Sequence, residues 1–158
     1  MNIAFVGLGA NLGDPSATLR AAFGALANLP ESRVVHCSSL YRTAPVGNTE
    51  QPDFINAVAA LETTLAPESL LDALLDIEAR FGRIRNEKNG PRTLDLDLLL
   101  YNSQQLDLPR LTLPHPRLHL RAFVLYPLAE LAPDLRLPGR GSLAAWLPAV
   151  ANQGISRL

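Results

Sequence analysis

Short apolar runs alternate along this chain with stretches in which apolar side chains recur every third or fourth position. Asn2 to Ala10 (NIAFVGLGA) is short, apolar and partly β-branched, the pattern of a buried first strand. Behind it, Leu19, Ala22, Phe23 and Leu26 keep helical spacing. Asp14-Pro15 opens that helix with an acid at the N-cap and proline at the first helical position, and Pro30 ends it. Arg33 to Leu40 reads as a second strand and Asp53 to Thr63 as a third, with Phe54, Asn56 and Val58 on one face. Ala66-Pro67-Glu68 starts a second helix whose buried stripe is Leu70, Leu71, Leu74, Leu75, Ile77 and Phe81, with Gly82 at its C-terminal stop. Gly90-Pro91 then turns the chain into an apolar run through Tyr101, a strand entering a core.

The order β-α-β-β-α-β predicts an α+β, ferredoxin-like fold: an antiparallel sheet with both helices on one face and C-terminal elaborations. The other face is left for a ligand. Beyond it, Leu111 to Pro116 is extended and proline-punctuated. Arg121 to Leu131 is helical at least from Val124, with Pro127 limiting its start, and Ser142 to Leu147 is a short helix carrying Trp146. At 158 residues, one domain spanning residues 1–158 is expected.

Gly7-Leu8-Gly9-Ala10-Asn11-Leu12-Gly13 invites a dinucleotide-binding reading, but the third glycine falls one residue too late for that fingerprint, and a tight turn fits better. Tyr41 to Pro52 is a long polar loop, the kind of segment that carries function.

Composition narrows the classes. A net charge of −1 argues against wholesale nucleic-acid binding. No apolar run approaches the roughly 20 residues of a membrane span. No basic segment precedes the first apolar stretch, so no signal peptide is read. The single Cys37 cannot form an internal disulfide, and reads as a small buried apolar residue in a reducing, cytoplasmic setting.

The candidate chemistry centres on Asp95 and Asp97. Two apart on a strand, they leave the sheet on one face. One reading is a solvated edge face with two surface aspartates. The other is a Mg²⁺ site, since that ion takes one or two carboxylates plus substrate phosphates. Arg80, Arg83, Arg85, Lys88 and Arg92 precede the pair, interleaved with Gly82, Asn86, Asn89 and Gly90, a layout suited to a polyphosphate. Glu78 lies near a helix C-terminus, where the dipole disfavours an anion, so a partner is expected. Asn56 is either a satisfied structural amide or a carboxamide reading a ligand edge beside Phe54. His115, between prolines, is open to metal, phosphate or loop roles.

Gly90-Pro-Arg-Thr-Leu-Asp-Leu-Asp97 resembles the signature of the 6-hydroxymethyl-7,8-dihydropterin pyrophosphokinase family of the folate pathway. Gly9-Ala-Asn-Leu-Gly13, Ser39-Leu-Tyr-Arg-Thr43, Gln51-Pro-Asp-Phe-Ile-Asn56, Leu113-Pro-His-Pro116 and Arg121-Ala-Phe123 resemble its other segments, nearly end to end. The resemblance implies transfer of the β,γ-diphosphate of ATP to the pterin alcohol, with release of AMP. It implies Asp95 and Asp97 as ligands of two Mg²⁺, and Arg83 and Arg92 as catalytic groups beside them. It implies Glu78, Arg85, Leu98, Arg110, Thr112, His115 and Arg121 on the ATP, and Thr43, Val46, Phe54, Asn56 and Phe123 on the pterin. Charge and hydropathy leave no nucleic-acid or membrane partner expected, and a monomer is expected. The chain departs from some relatives in lacking an aromatic between Arg85 and Gly90, and in Pro116 and Leu75. The rival readings are another two-metal nucleotidyl or phosphoryl transferase on a similar sheet, and a non-catalytic RNA-binding or regulatory module. The second expects exposed aromatics where this sheet carries aspartates.

Overall fold

A computed structural model gives the structure of the protein over residues 1–45, 50–82 and 93–158. The elements run β1 (Asn2–Ala10), α1 (Pro15–Ala27), β2 (Ser32–Cys37), β3 (Tyr41–Thr43), β4 (Phe54–Thr63), α2 (Pro67–Arg80), β5 (Asp95–Tyr101), β6 (Leu106–Leu108) and β7 (Leu111–Leu113). They continue with α3 (Ala122–Leu131), β8 (Arg136–Leu137), β9 (Gly141–Ser142), α4 (Leu147–Val150) and β10 (Ile155–Arg157). The architecture is mixed α/β around an antiparallel sheet. β1 pairs with β4 on one side and β5 on the other, and β2 and β3 both pair with β4. β10 returns from the C-terminal part to extend the sheet beyond β3. Among the described residues no helix is long and apolar enough to cross a membrane.

Local chemistry explains the helix ends. Asp14 accepts the backbone N–H of Ala17 at 3.2 Å, and Pro15, lacking an N–H, occupies the first turn where that donor would have no partner. Pro67 plays the same part in α2, and Gly82 ends that helix at φ +74°, a conformation without steric cost only for glycine.

Two cores flank the sheet. Even-numbered β1 residues Ala4, Val6 and Leu8 pack with Leu19 and Leu26 of α1 and Leu70, Leu74 and Ile77 of α2. On the opposite face Phe5, Val58, Leu99 and Leu100 pack with Val124, Leu125 and Leu128 of α3. Thus α1 and α2 share one face, as expected, and α3 covers only part of the other.

Several expectations are corrected. Gly7 and Gly9 do not form a turn; they lie within β1, and Gly13 takes the positive φ of +64°. The strand read as Arg33–Leu40 ends at Cys37, and the loop after it contains an additional strand, β3, because Tyr41 to Thr43 find backbone partners on β4. Cys37 is exposed rather than buried, since β2 turns that side chain outward at the sheet margin. Leu75 is 37% exposed, outside the buried stripe of α2. Pro127 sits inside α3 and does not limit its start; the helix begins at Ala122 and accepts the loss of one internal donor. The segment around Trp146 is a 3₁₀ turn (Leu143–Trp146) leading into α4.

Candidate active site

The sheet register assembles one row of side chains across three strands. Gly9 of β1 stands opposite Asn56 of β4 on one side and opposite Asp95 of β5 on the other. The next row of the same face holds Val58, Gly7 and Asp97. Period two along each strand therefore puts the carboxamide and both carboxylates on the face away from α1 and α2. Asp95 and Asp97 are half-buried there.

Around this floor stand the expected partners. Asn56 is buried, and its Nδ2 donates to Thr43 Oγ1 at 2.8 Å, which fixes the amide plane. Phe54 lies on the same face two residues before it. At the carboxylate end, the Arg121 guanidinium lies 5.2 Å from the ring centroid of Phe123, a cation–π contact at the start of α3. Burial draws the Arg121 pKa below its usual range, while the charges of Asp97 and Asp95 act the other way. His115 is anchored by its backbone N–H to the carbonyl of Leu99 at 2.9 Å. Its Nδ1 accepts the backbone N–H of Arg117 at 3.2 Å, so the proton of the neutral ring is on Nε2. Burial, then the charge of Arg121, lowers its pKa to about 4, with Asp95 opposing. His115 is therefore a neutral donor at physiological pH.

A second group lies along β5 toward α2. Glu78 is buried, and its Oε2 accepts the backbone N–H of Leu96 at 2.6 Å. This is the partner its place on the helix called for, and no feature of the sequence named that backbone group. Leu98 is buried on the helix side of β5, Thr112 is half-buried on β7, and Arg110 is exposed and ion-paired with Asp72 of α2. Neither Leu98 nor Arg110 shares the face of Asp95 and Asp97. Val46, Arg83, Arg85, Lys88 and Arg92 lie outside the described residues.

Sequence reasoning missed Gly7 and Gly9 as the floor of the site. The signal was present in their alternation with Val6, Leu8 and Ala10, which is strand period rather than turn chemistry. It also missed Asn11, buried at the end of β1, whose Nδ2 donates to Gln51 Oε1 at 2.8 Å and to the carbonyl of Pro52 at 3.0 Å, tying β1 to the entry of β4.

Residues 5–133 match the family model described as 7,8-dihydro-6-hydroxymethylpterin-pyrophosphokinase. The chain belongs to this family. It is 54% identical over 154 residues to a 2-amino-4-hydroxy-6-hydroxymethyldihydropteridine pyrophosphokinase of Pseudomonas aeruginosa, covering 98% of this chain and 95% of the relative. Enzymes of the same name from Haemophilus influenzae and Bacillus subtilis are 47% and 43% identical, over 87% and 82% of this chain and 86% and 78% of theirs. Among solved structures, a Plasmodium falciparum HPPK-DHPS with pteroate superposes with a TM-score of 0.77 at 13% identity, over 99% of this chain and 47% of that one. A second HPPK-DHPS structure, in complex with substrates, gives 0.78 at 12% identity over 99% of this chain and 46% of that one. At those identities the likeness is one of fold, and this chain spans about half the length of those proteins. In this member of the family the row Asn56–Gly9–Asp95 lies on the sheet face away from α1 and α2.

Proposed function

We propose that the chain transfers the β,γ-diphosphate of ATP to the primary alcohol of 6-hydroxymethyl-7,8-dihydropterin, releasing AMP, as a step of folate biosynthesis. The observation that carries the reading is the single row in which a pinned carboxamide and a carboxylate stand on either side of a bare glycine. Adjacent strands are about 4.8 Å apart, so Asn56 and Asp95 are separated by about 10 Å across the sheet. One end can read the amide-like edge of a flat heterocycle, and the other can meet phosphate.

The donor set fits Mg²⁺. Among the described residues no group of three or more His, Cys, Asp and Glu side chains is arranged to hold a metal ion. Two carboxylates with phosphate oxygens completing the shell is the arrangement this ion prefers. Asp95 and Asp97 would hold two Mg²⁺, which when bound neutralise phosphate charge and activate the attacking alcohol.

The protein's own groups divide the remaining work. Asn56 hydrogen-bonds the pterin edge, with Thr43 fixing its orientation. Phe54 and Phe123 wall the ring, and Val46 completes that side. Arg121 and the Nε2–H of His115 meet phosphate oxygens near Asp95 and Asp97. Arg83 and Arg92 neutralise the departing diphosphate, with Arg85 on the phosphates. Glu78, Leu98, Arg110 and Thr112 form the nucleoside side along β5 and α2.

The β5-β1-β4-β2 order supports a ferredoxin-like, split β-α-β core within residues 1–158, read as one domain because β10 re-enters the main sheet. The enzyme would act as a cytoplasmic monomer. The experiment is product analysis: AMP should appear in proportion to pterin consumed and only when the hydroxymethyl pterin and Mg²⁺ are both present. Release of inorganic diphosphate from ATP would instead indicate nucleotidyl transfer.

A further inference from the structure

We propose that Gly9 is a specificity-determining residue of the pterin subsite, its missing side chain being the space through which the substrate's alcohol reaches the carboxylates. This rests on the reading of the site given above.

Three observations carry it. Gly9 is paired across the sheet with both Asn56 and Asp95, so a ligand touching both must cross its Cα. A Cβ built on Gly9 would lie 3.0 Å from Asn56 Oδ1, tighter than ordinary van der Waals contact. That oxygen cannot swing away freely, because the same amide donates to Thr43 Oγ1 at 2.8 Å and both residues are buried. The backbone of Gly9 does not ask for glycine: it lies in regular strand pairing with ordinary φ, and glycine in a strand interior weakens the strand. What glycine supplies here is space. A methyl group would obstruct the path over the floor and also press on the carboxamide that reads the ring. The nucleotide side, along β5 and α2, would be untouched.

The test is Gly9→Ala, compared with the wild type and with Gly24→Ala, a glycine replacement on α1 where an added Cβ meets nothing within 4 Å. Calorimetric binding of hydroxymethyl dihydropterin, with a non-hydrolysable ATP analogue and Mg²⁺ present, should weaken at least about tenfold in Gly9→Ala and not in Gly24→Ala. Affinity for the nucleotide analogue should stay within about twofold. In an Asn56→Ala background the additional loss from Gly9→Ala should shrink, since the pressed oxygen is gone. If Gly9→Ala fails to fold, Gly9→Ala/Asn56→Ala should fold again, and a double variant that stays unfolded overturns the proposal. Unchanged pterin binding in Gly9→Ala overturns it, as does an equal loss of pterin and nucleotide binding. A wild-type protein that releases no pterin-dependent AMP overturns the underlying reading and the proposal together. Normal release with an indifferent Gly9→Ala overturns the proposal alone.

Discussion

The backbone N–H of Leu96 donates to the buried carboxylate of Glu78 at 2.6 Å. Leu96 lies between Asp95 and Asp97, and among the described residues β5 pairs with β1 alone, on its other side. The carboxylate therefore takes the place of a neighbouring strand at the point where the two aspartates are presented. Hydrogen bonds to charged groups contribute about 1.5–3 kcal/mol. Glu78→Leu should lower stability by that amount and reduce turnover, while Glu78→Gln, which retains an acceptor, should lose about half as much. Denaturant unfolding of the three proteins, read beside kcat, checks this; equal loss in both variants would mean that charge rather than the acceptor matters.

Asp95→Ala and Asp97→Ala should each abolish turnover while leaving a folded protein, because half-buried carboxylates on an open face contribute little to either core. The thermal stabilisation that MgATP gives the wild type should vanish in both. Near-normal turnover in either variant would contradict the metal assignment.

His115 makes stability fall on acidification. Its folded pKa is lowered from 6.5 to about 4, so below the unfolded value the denatured chain binds a proton that the native chain does not. Stability is thus fully present above pH 6.5 and declines as pH falls toward 4, by at most about 1.4 kcal/mol per pH unit for this one proton. Buried His119, stacked edge-on against Trp146 and also lowered by burial, adds to the same loss. Urea midpoints across that range should fall less steeply in His115→Gln, leaving the share due to His119. An unaltered pH profile would mean that His115 is protonated in the folded protein.

Tyr41, which stands opposite Asn56 on the β3 side of the sheet, forms a latch with Glu130. The phenol donates to Glu130 Oε1 at 2.7 Å, the same carboxylate accepts the backbone N–H of Ser39 at 3.0 Å, and Arg157 of β10 approaches it at 3.6 Å. Burial, then the bond and charge of Glu130, push Tyr41 up to about 12. The unfolded phenol ionises near 10, so this contribution holds below pH 10 and is lost as pH rises toward 12. Glu130→Ala should cost about 1.5–3 kcal/mol and move the Tyr41 titration down, as seen in tyrosinate absorbance. A titration that does not move would make burial alone responsible.

Substrate affinities should separate the two sides of the site. Asn56→Ala should weaken pterin binding and leave MgATP binding near normal. Arg83→Ala and Arg92→Ala should lower kcat by roughly 10²–10³-fold, the scale of losing one charge-stabilising donor, with far smaller effects on nucleotide binding. Binding and rate falling equally would make the arginines ground-state clamps.

Much of the molecule is written locally in its residues. Asp14-Pro15, Pro67 and Gly82 delimit the helices because capping and proline or glycine geometry act within one turn. The alternation through Asp95 and Asp97 assigns both carboxylates to one face, since a strand's period needs no partner to be read. The family signature around them identifies the chemistry. Only the tertiary structure decided what each of those residues meets. Register across β4, β1 and β5, which sets Gly9 between Asn56 and Asp95, depends on pairing between segments far apart in the chain. The same holds for Glu78 on Leu96, for the exposure of Cys37, and for the return of β10 to β3. These are non-local contacts whose energy appears only once the chain has closed on itself, so no window of sequence contains them.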